Sequence, residues 1–226
     1  MAVLARARIG RGVSAQGFYA QRLRFRDLAF DIGASAGEHT AAMLKRGARV
    51  VAVEPQADLA RRLGHDFPAA TVRAVGVSDQ PGEATLITSS DFDQVATLNP
   101  AFQDTFHGFA WDGEESIRLT TLDDLIAEFG LPAFVKIDTE GLEDKVLAGL
   151  SQPLGQFLFE VHAEMPDVAA RAFERLAALG TYEYRLMRQS EPWVLGPPVS
   201  ATAILADLPA FPDLGDVWAR QVYLDY

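Results

Sequence analysis

Short apolar runs alternate with segments of helical period along most of this chain. That is the pattern of a mostly parallel sheet covered by helices. "LAFDIG" (28–33) reads as a first strand, with a helix from Gly37 to Arg46 behind it. "RVVAVEP" (49–55) predicts a second strand, stopped by Pro55, and a helix over Gln56–His65. "TVRAVGVSD" (71–79) predicts a third, and "PGEATLITSS" (81–90) a turn followed by a short extra strand. Residues 91–118 carry Phe92, Phe102, Phe106, Phe109 and Trp111 without a regular period, so a long loop of the lid or binding kind is expected there.

Beyond it, "TTLDDLIAEFG" (120–130) has the start and stop of a helix: Thr121 with Asp124 three residues on, and Gly130 at the end. "AFVKID" (133–138) predicts a strand, then a helix to Leu150, then a strand at "QFLFEVH" (156–162). Met165–Leu179 reads as a helix, and "TYEYRLMR" (181–188) and "ATAILA" (201–206) as strands that close the sheet. No repeat or linker divides the chain. One α/β domain is expected over residues 27–226, preceded by a basic extension over 1–26.

That extension holds Arg6, Arg8, Arg11, Arg22, Arg24 and Arg26 before the first acid, Asp27. It reads as a transit segment or partner-touching arm, or more plainly as a solvated extension or helix packed on the domain edge. Nothing in it has the apolar core of a secretory signal, and no apolar run elsewhere is long enough to span a membrane. The 226 residues include no cysteine, which excludes disulfides, thiolate metal sites and cysteine nucleophiles, and fits a cytoplasmic location. A formal net charge of −11 makes nucleic acid an unlikely partner.

Candidate chemistry collects where the expected strands end. "DIGASAG" leaves one strand and opens a helix, so Gly33 allows a tight turn and Gly37 a close approach to a ligand. Glu54, at the tip of the second strand, can accept both hydroxyls of a ribose. The nicotinamide fingerprint wants a third glycine that this turn lacks, and Asp31 would repel a pyrophosphate. An ammonium and a sulfonium would instead be attracted, which favours S-adenosylmethionine. An NAD(P)-dependent oxidoreductase and a non-catalytic cofactor-binding scaffold are the alternatives.

At these residues the chain resembles the FkbM-type S-adenosylmethionine-dependent methyltransferases. The resemblance is carried by "FDIGASAGEHT" (30–40), "VAVEPQ" (51–56), "GVSDQPGEATL" (76–86), "TTLDDL" (120–125), "VKIDTEGLEDKVLAGL" (135–150) and "FEVH" (159–162). It implies a Rossmann-like class I methyltransferase: a mostly parallel seven-stranded sheet with an antiparallel last strand and helices on both faces. It further implies S-adenosylmethionine as donor and O-methylation of a hydroxyl on a saccharide, glycan or natural product. Ser35 stands where the family more often has Asn, and neither the first 26 residues nor 91–118 are covered by its motifs.

The expected cofactor set is Asp31, Gly33, Ala34, Gly37, Glu54, Pro55, Ser78, Asp79 and Asp138, with Ser78 or Asp79 beside the adenine. Asp138, His162, Glu140 and Lys136 form the expected catalytic set. His162, Asp138 and Glu140 compete as the base, and Lys136 is read first as an ion-pair partner. Glu143 is expected as a helix N-terminal charge, and His39 either touches the cofactor's carboxylate or sits exposed. Asp138, Glu140, Glu160 and His162 also resemble a hard-cation set, but no metal is assigned. The acceptor is expected to be a small molecule or glycan, with a homo-oligomer left open.

Overall fold

The computed structural model describes residues 14–92, 94–188, 190–210 and 215–222. The first half runs α1 (Ala15–Ala20), β1 (Leu28–Ile32), α2 (Glu38–Arg46), β2 (Arg49–Val53), α3 (Ala57–Asp66), β3 (Thr71–Arg73), β4 (Gly76–Val77) and β5 (Gly82–Ser89). Next come β6 (Ala96–Thr97), α4 (Pro100–Thr105), β7 (Trp111–Thr120), α5 (Leu122–Phe129), β8 (Phe134–Ile137) and α6 (Glu143–Ala148). The chain continues with β9 (Gln156–Val161), α7 (Pro166–Leu179), β10 (Tyr182–Arg188), β11 (Leu195–Val199), α8 (Ala201–Asp207) and β12 (Gly215–Gln221).

The main sheet has the order β11-β10-β12-β9-β8-β1-β2-β3. Its centre is parallel, with β1 between β2 and β8 and with β9 beyond β8. β12 inserts antiparallel between β9 and β10. Seven strands thus give the expected arrangement, with one antiparallel strand that is last in the chain. β11 adds an eighth at the edge, antiparallel to β10.

Every residue of β1 and β8 is buried, as strands covered on both faces must be, and alternate residues serve opposite faces. Phe30, Val135, Ile137 and Phe159 pack on one side with Leu147 of α6 and Phe173 of α7. Ala29, Val50, Phe134 and Leu158 pack on the other with Phe18 and Tyr19 of α1 and Met43 of α2. Residues 14–26 therefore contribute to the core through α1; Arg6, Arg8 and Arg11 lie outside the described residues.

Three expectations are corrected. "ATAILA" is not a strand but α8, because the Ser200 side chain accepts from the Ala203 N–H and caps a helix start. The strand that closes the sheet is β12, within "GDVWARQ", which had not been assigned. Residues 91–118 are not one loop, since β6, α4 and most of β7 lie within them. Together β4, β7, β5 and β6 form a second, four-stranded sheet. The expected third strand is divided between the two sheets: Thr71–Arg73 extends the main one, while Gly76–Val77 joins the small one.

Candidate active site

The carboxyl ends of β1, β2, β8 and β9 open into a cleft of about 240 Å³, closed above by the small sheet and α4. This is where an open α/β sheet holds its ligand. A smaller hollow of about 110 Å³ adjoins it through His39 and Glu160, beside Trp193 and Asp216.

At the β1 end, the N–H groups of Gly33 and Ala34 both donate to the Val53 carbonyl, at 2.9 and 3.0 Å. The turn is thereby pulled across to the tip of β2. Gly33 has a φ of 75°, and a Cβ there would lie 1.7 Å from the Asp138 carbonyl oxygen, so no other residue fits. Ser35 donates its N–H to Glu54 Oε2 at 2.8 Å, and Gln56 donates to Oε1 at 2.9 Å. Glu54 is 3% exposed. Burial pushes its carboxyl up to about 7, the two N–H donors hold it down, and the charges of Asp31 and Asp138 add to the rise. Each carboxylate oxygen keeps a second lone pair for a ligand hydroxyl. The first turn of α2 rises beside it, with N–H groups that have no partner inside the helix.

At the β8 and β9 ends, residues two apart share a face. Lys136, 1% exposed, is paired with Asp138. Burial alone would lower the ammonium pKa, but the carboxylates of Asp138, Asp216 and Asp31 raise it. Burial alone would raise the Asp138 carboxyl, but the Lys136 ammonium outweighs it and holds the group at about 2. Asp138 is thus a carboxylate and a weak base. Glu160 is pushed up to about 8 by burial and by Asp138, with His162 acting against the rise. Burial and the charges of Glu160 and Asp138 push Glu140 well above the usual carboxylate range. For His162, burial lowers the imidazole, yet Glu160, Glu143 and Glu140 carry it to about 10.

Glu140 has a left-handed φ of 53°. Its turn is fixed from outside: Thr97 donates its hydroxyl to the Glu140 carbonyl and Asn99 its amide to the Gly141 carbonyl, both at 2.8 Å. The rings of Phe102 and Phe106 lie 5.3 and 5.5 Å from the His162 ring. Acids, an imidazole and an apolar roof therefore meet at one point. Such a place can hold a cation and can take a proton from a bound hydroxyl.

Of the expected residues, Gly33, Ala34, Glu54, Pro55, Lys136, Asp138, Glu140 and His162 all line the cleft. Four others do not. Asp31 is fully buried beneath the turn, one oxygen accepting from the Thr40 hydroxyl at 2.5 Å and the other without a hydrogen bond among the described residues. Gly37 faces α3 rather than a ligand, because its Cβ position meets the Phe67 ring at 2.3 Å. Ser78 and Asp79 sit beyond the cleft, where Asp79 pairs with Lys145 at 3.0 Å and Ser78 donates to Asp79 at 3.1 Å. The chain has already turned into the small sheet, so Val75 and Val77 line the cleft in their place.

Glu143 opens α6 as expected, buried, and accepts from the N–H and hydroxyl of Thr139. His39 lines the cleft and meets the Tyr19 hydroxyl at 2.6 Å through Nδ1. Sequence reading missed the supports of this site: Tyr19, Thr97, Asn99 and Trp193. Asn99-Pro100 alone carried a usable signal, an N-cap followed by proline at the first helical position.

The model of the family described as "Methyltransferase FkbM domain" matches residues 31–186. The hexuronic acid methyltransferase AglP of Haloferax volcanii is 27% identical over 179 residues, covering 75% of this chain and 70% of that protein. Among solved structures, precorrin-6y C5,15-methyltransferase of Geobacter metallireducens aligns with a TM-score of 0.50 at 12% identity, over 98% of this chain and 93% of that one. A TehB-like S-adenosylmethionine-dependent methyltransferase of Corynebacterium glutamicum gives a TM-score of 0.50 at 13% identity, over 92% and 87%. At these identities the structures speak for the fold.

Proposed function

The chain belongs to the FkbM methyltransferase family and uses S-adenosylmethionine, and on that premise we propose that it methylates a hydroxyl of a saccharide. One observation carries this reading: the Glu140–Glu160–His162 group lies at the strand tips under an aromatic roof, within the cleft that holds the glycine turn and Glu54. Aromatic faces suit the apolar face of a sugar ring, and high-pKa carboxylates suit removal of a hydroxyl proton. The hexuronic acid methyltransferase among its relatives supports a sugar acceptor.

In this reading Glu54 takes the ribose hydroxyls, and the turn at Gly33–Ala34 and Pro55 flank the adenosyl group. The acceptor oxygen forms its bond to the methyl carbon as the carbon–sulfur bond breaks, and the electron pair leaves on sulfur as a neutral thioether. The hydroxyl proton passes to the Glu140–Glu160–His162 group in the state in which one of its carboxyls is ionised, a state that Glu160 enters as the pH rises through about 8. Asp138, tied to Lys136, contributes fixed negative charge toward the sulfonium rather than a base. Holding oxygen and methyl in line supplies several kcal/mol of the acceleration.

The test uses donor with a labelled methyl group and a panel of neutral sugars, uronic acids and glycans. Label should enter a saccharide and survive mild alkali, as an ether does. Label that alkali removes would place the methyl on a carboxylate and overturn the hydroxyl reading.

A further inference from the structure

One carboxylate oxygen each of Glu140 and Glu160 and one ring nitrogen of His162 lie within 4.8 Å of one another. Three donors so spaced can all reach one ion at about 2.0–2.4 Å. Glu160 and His162 project from the end of β9, two residues apart. Glu140 comes from a different element, in the left-handed turn that Thr97 and Asn99 hold from the small-sheet side. Carboxylates alone in a cleft would say little. The imidazole says more: His162 is 3% exposed, and neither ring nitrogen makes a hydrogen bond among the described residues.

Its Nε2 stands 3.1 Å from Glu160 Oε2 without hydrogen-bond geometry, and that oxygen also has no hydrogen bond among the described residues. Phe102 and Phe106 cover the ring and offer it no polar atom. A buried imidazole lone pair aimed among carboxylate oxygens is satisfied by a proton or by a metal. Asp138, the third acid at these strand tips, is engaged by Lys136. The set is therefore two carboxylates and one imidazole, a mixture that suits first-row divalent ions better than magnesium or calcium. Three protein ligands also leave positions open toward the cleft, as catalytic metal sites do.

We propose that Glu140, Glu160 and His162 form a binding site for one divalent first-row transition-metal ion, with an open position facing the acceptor. Binding stands on the geometry alone. What the ion does, lowering the pKa of a coordinated hydroxyl whose proton then passes to the unligated oxygen of Glu140 or Glu160, rests on the methyl-transfer reading.

The experiment titrates chelator-stripped full-length protein with manganese(II) chloride, following the free-ion signal by electron paramagnetic resonance. Binding of S-adenosylhomocysteine is measured on the same samples by calorimetry. One tight equivalent of manganese is expected. Glu140→Gln and His162→Phe should each weaken it by no less than the roughly 10-fold that loss of an outer-shell partner costs, with homocysteine-product affinity retained as proof of folding. The Glu140 variant alters a half-buried turn residue, so it stays informative if the His162 variant misfolds. No stoichiometric manganese binding, or binding that both variants leave intact, would overturn the site. Manganese binding without any binding of the adenosyl product would leave the site standing and sink the methyl-transfer reading instead.

Discussion

Glu54 and Asp138 bring the same chemical group into the same cleft, yet their surroundings set one at about 7 and the other at about 2. Both are desolvated. The difference is the Lys136 ammonium, which pairs with Asp138, while Glu54 has two backbone N–H donors. The charges of Asp31 and Asp138 both push Glu54 up. Its carboxylate is the better acceptor for ribose hydroxyls, and protonation competes with them. Affinity for S-adenosylhomocysteine should therefore be full at pH 8 and fall as the pH drops through 7, by at most about tenfold per unit below the pKa. In Glu54→Gln the affinity should be lower and flat over the same range. Calorimetry at pH 6, 7 and 8 measures both, and a wild-type profile as flat as the variant's would remove Glu54 from the ribose site.

Small elements aim the side chains. α5 begins with a reciprocal cap, in which the Thr121 hydroxyl accepts from the Asp124 N–H and the Asp124 carboxylate from the Thr121 N–H. The motif was legible in sequence because both partners are local. Thr121→Ala should cost about 1 kcal/mol, measured by urea denaturation, with cofactor affinity unchanged because α5 lies outside the cleft. α4 behaves differently. Its Phe102 closes the roof over His162, while Asn99 at its cap holds the turn at Gly141. The Asn-Pro start is a local signal, but a helix of six residues shows too little period to stand out from a loop. α8 fails in the opposite sense: a short apolar run fits strand or helix equally, and only the cap at Ser200 decides.

Over the whole molecule, the main sheet is sealed on one face by α5, α6 and α7 and on the other by α1 and α2 with the Phe18 and Tyr19 rings. Those two rings are 1% and 0% exposed. Burying each is worth roughly 1.5–3 kcal/mol, a large share of a stability of about 5–15 kcal/mol. Removing residues 1–21 should lower stability by about 3 kcal/mol or more, read as an earlier urea midpoint. An unchanged midpoint would mean that α1 adds nothing to the core. The sequence by itself determined the parallel centre of the sheet, the glycine turn, Glu54 and the acids at the β8 and β9 tips. Each depends on period, on a backbone conformation only glycine adopts, or on residues close in the chain. Tertiary structure alone decided which acids face the cleft, and that a second sheet displaces Ser78 and Asp79 and carries α4 over His162. Those outcomes come from contacts between segments tens of residues apart, whose packing and shared desolvation leave no periodic trace in the chain.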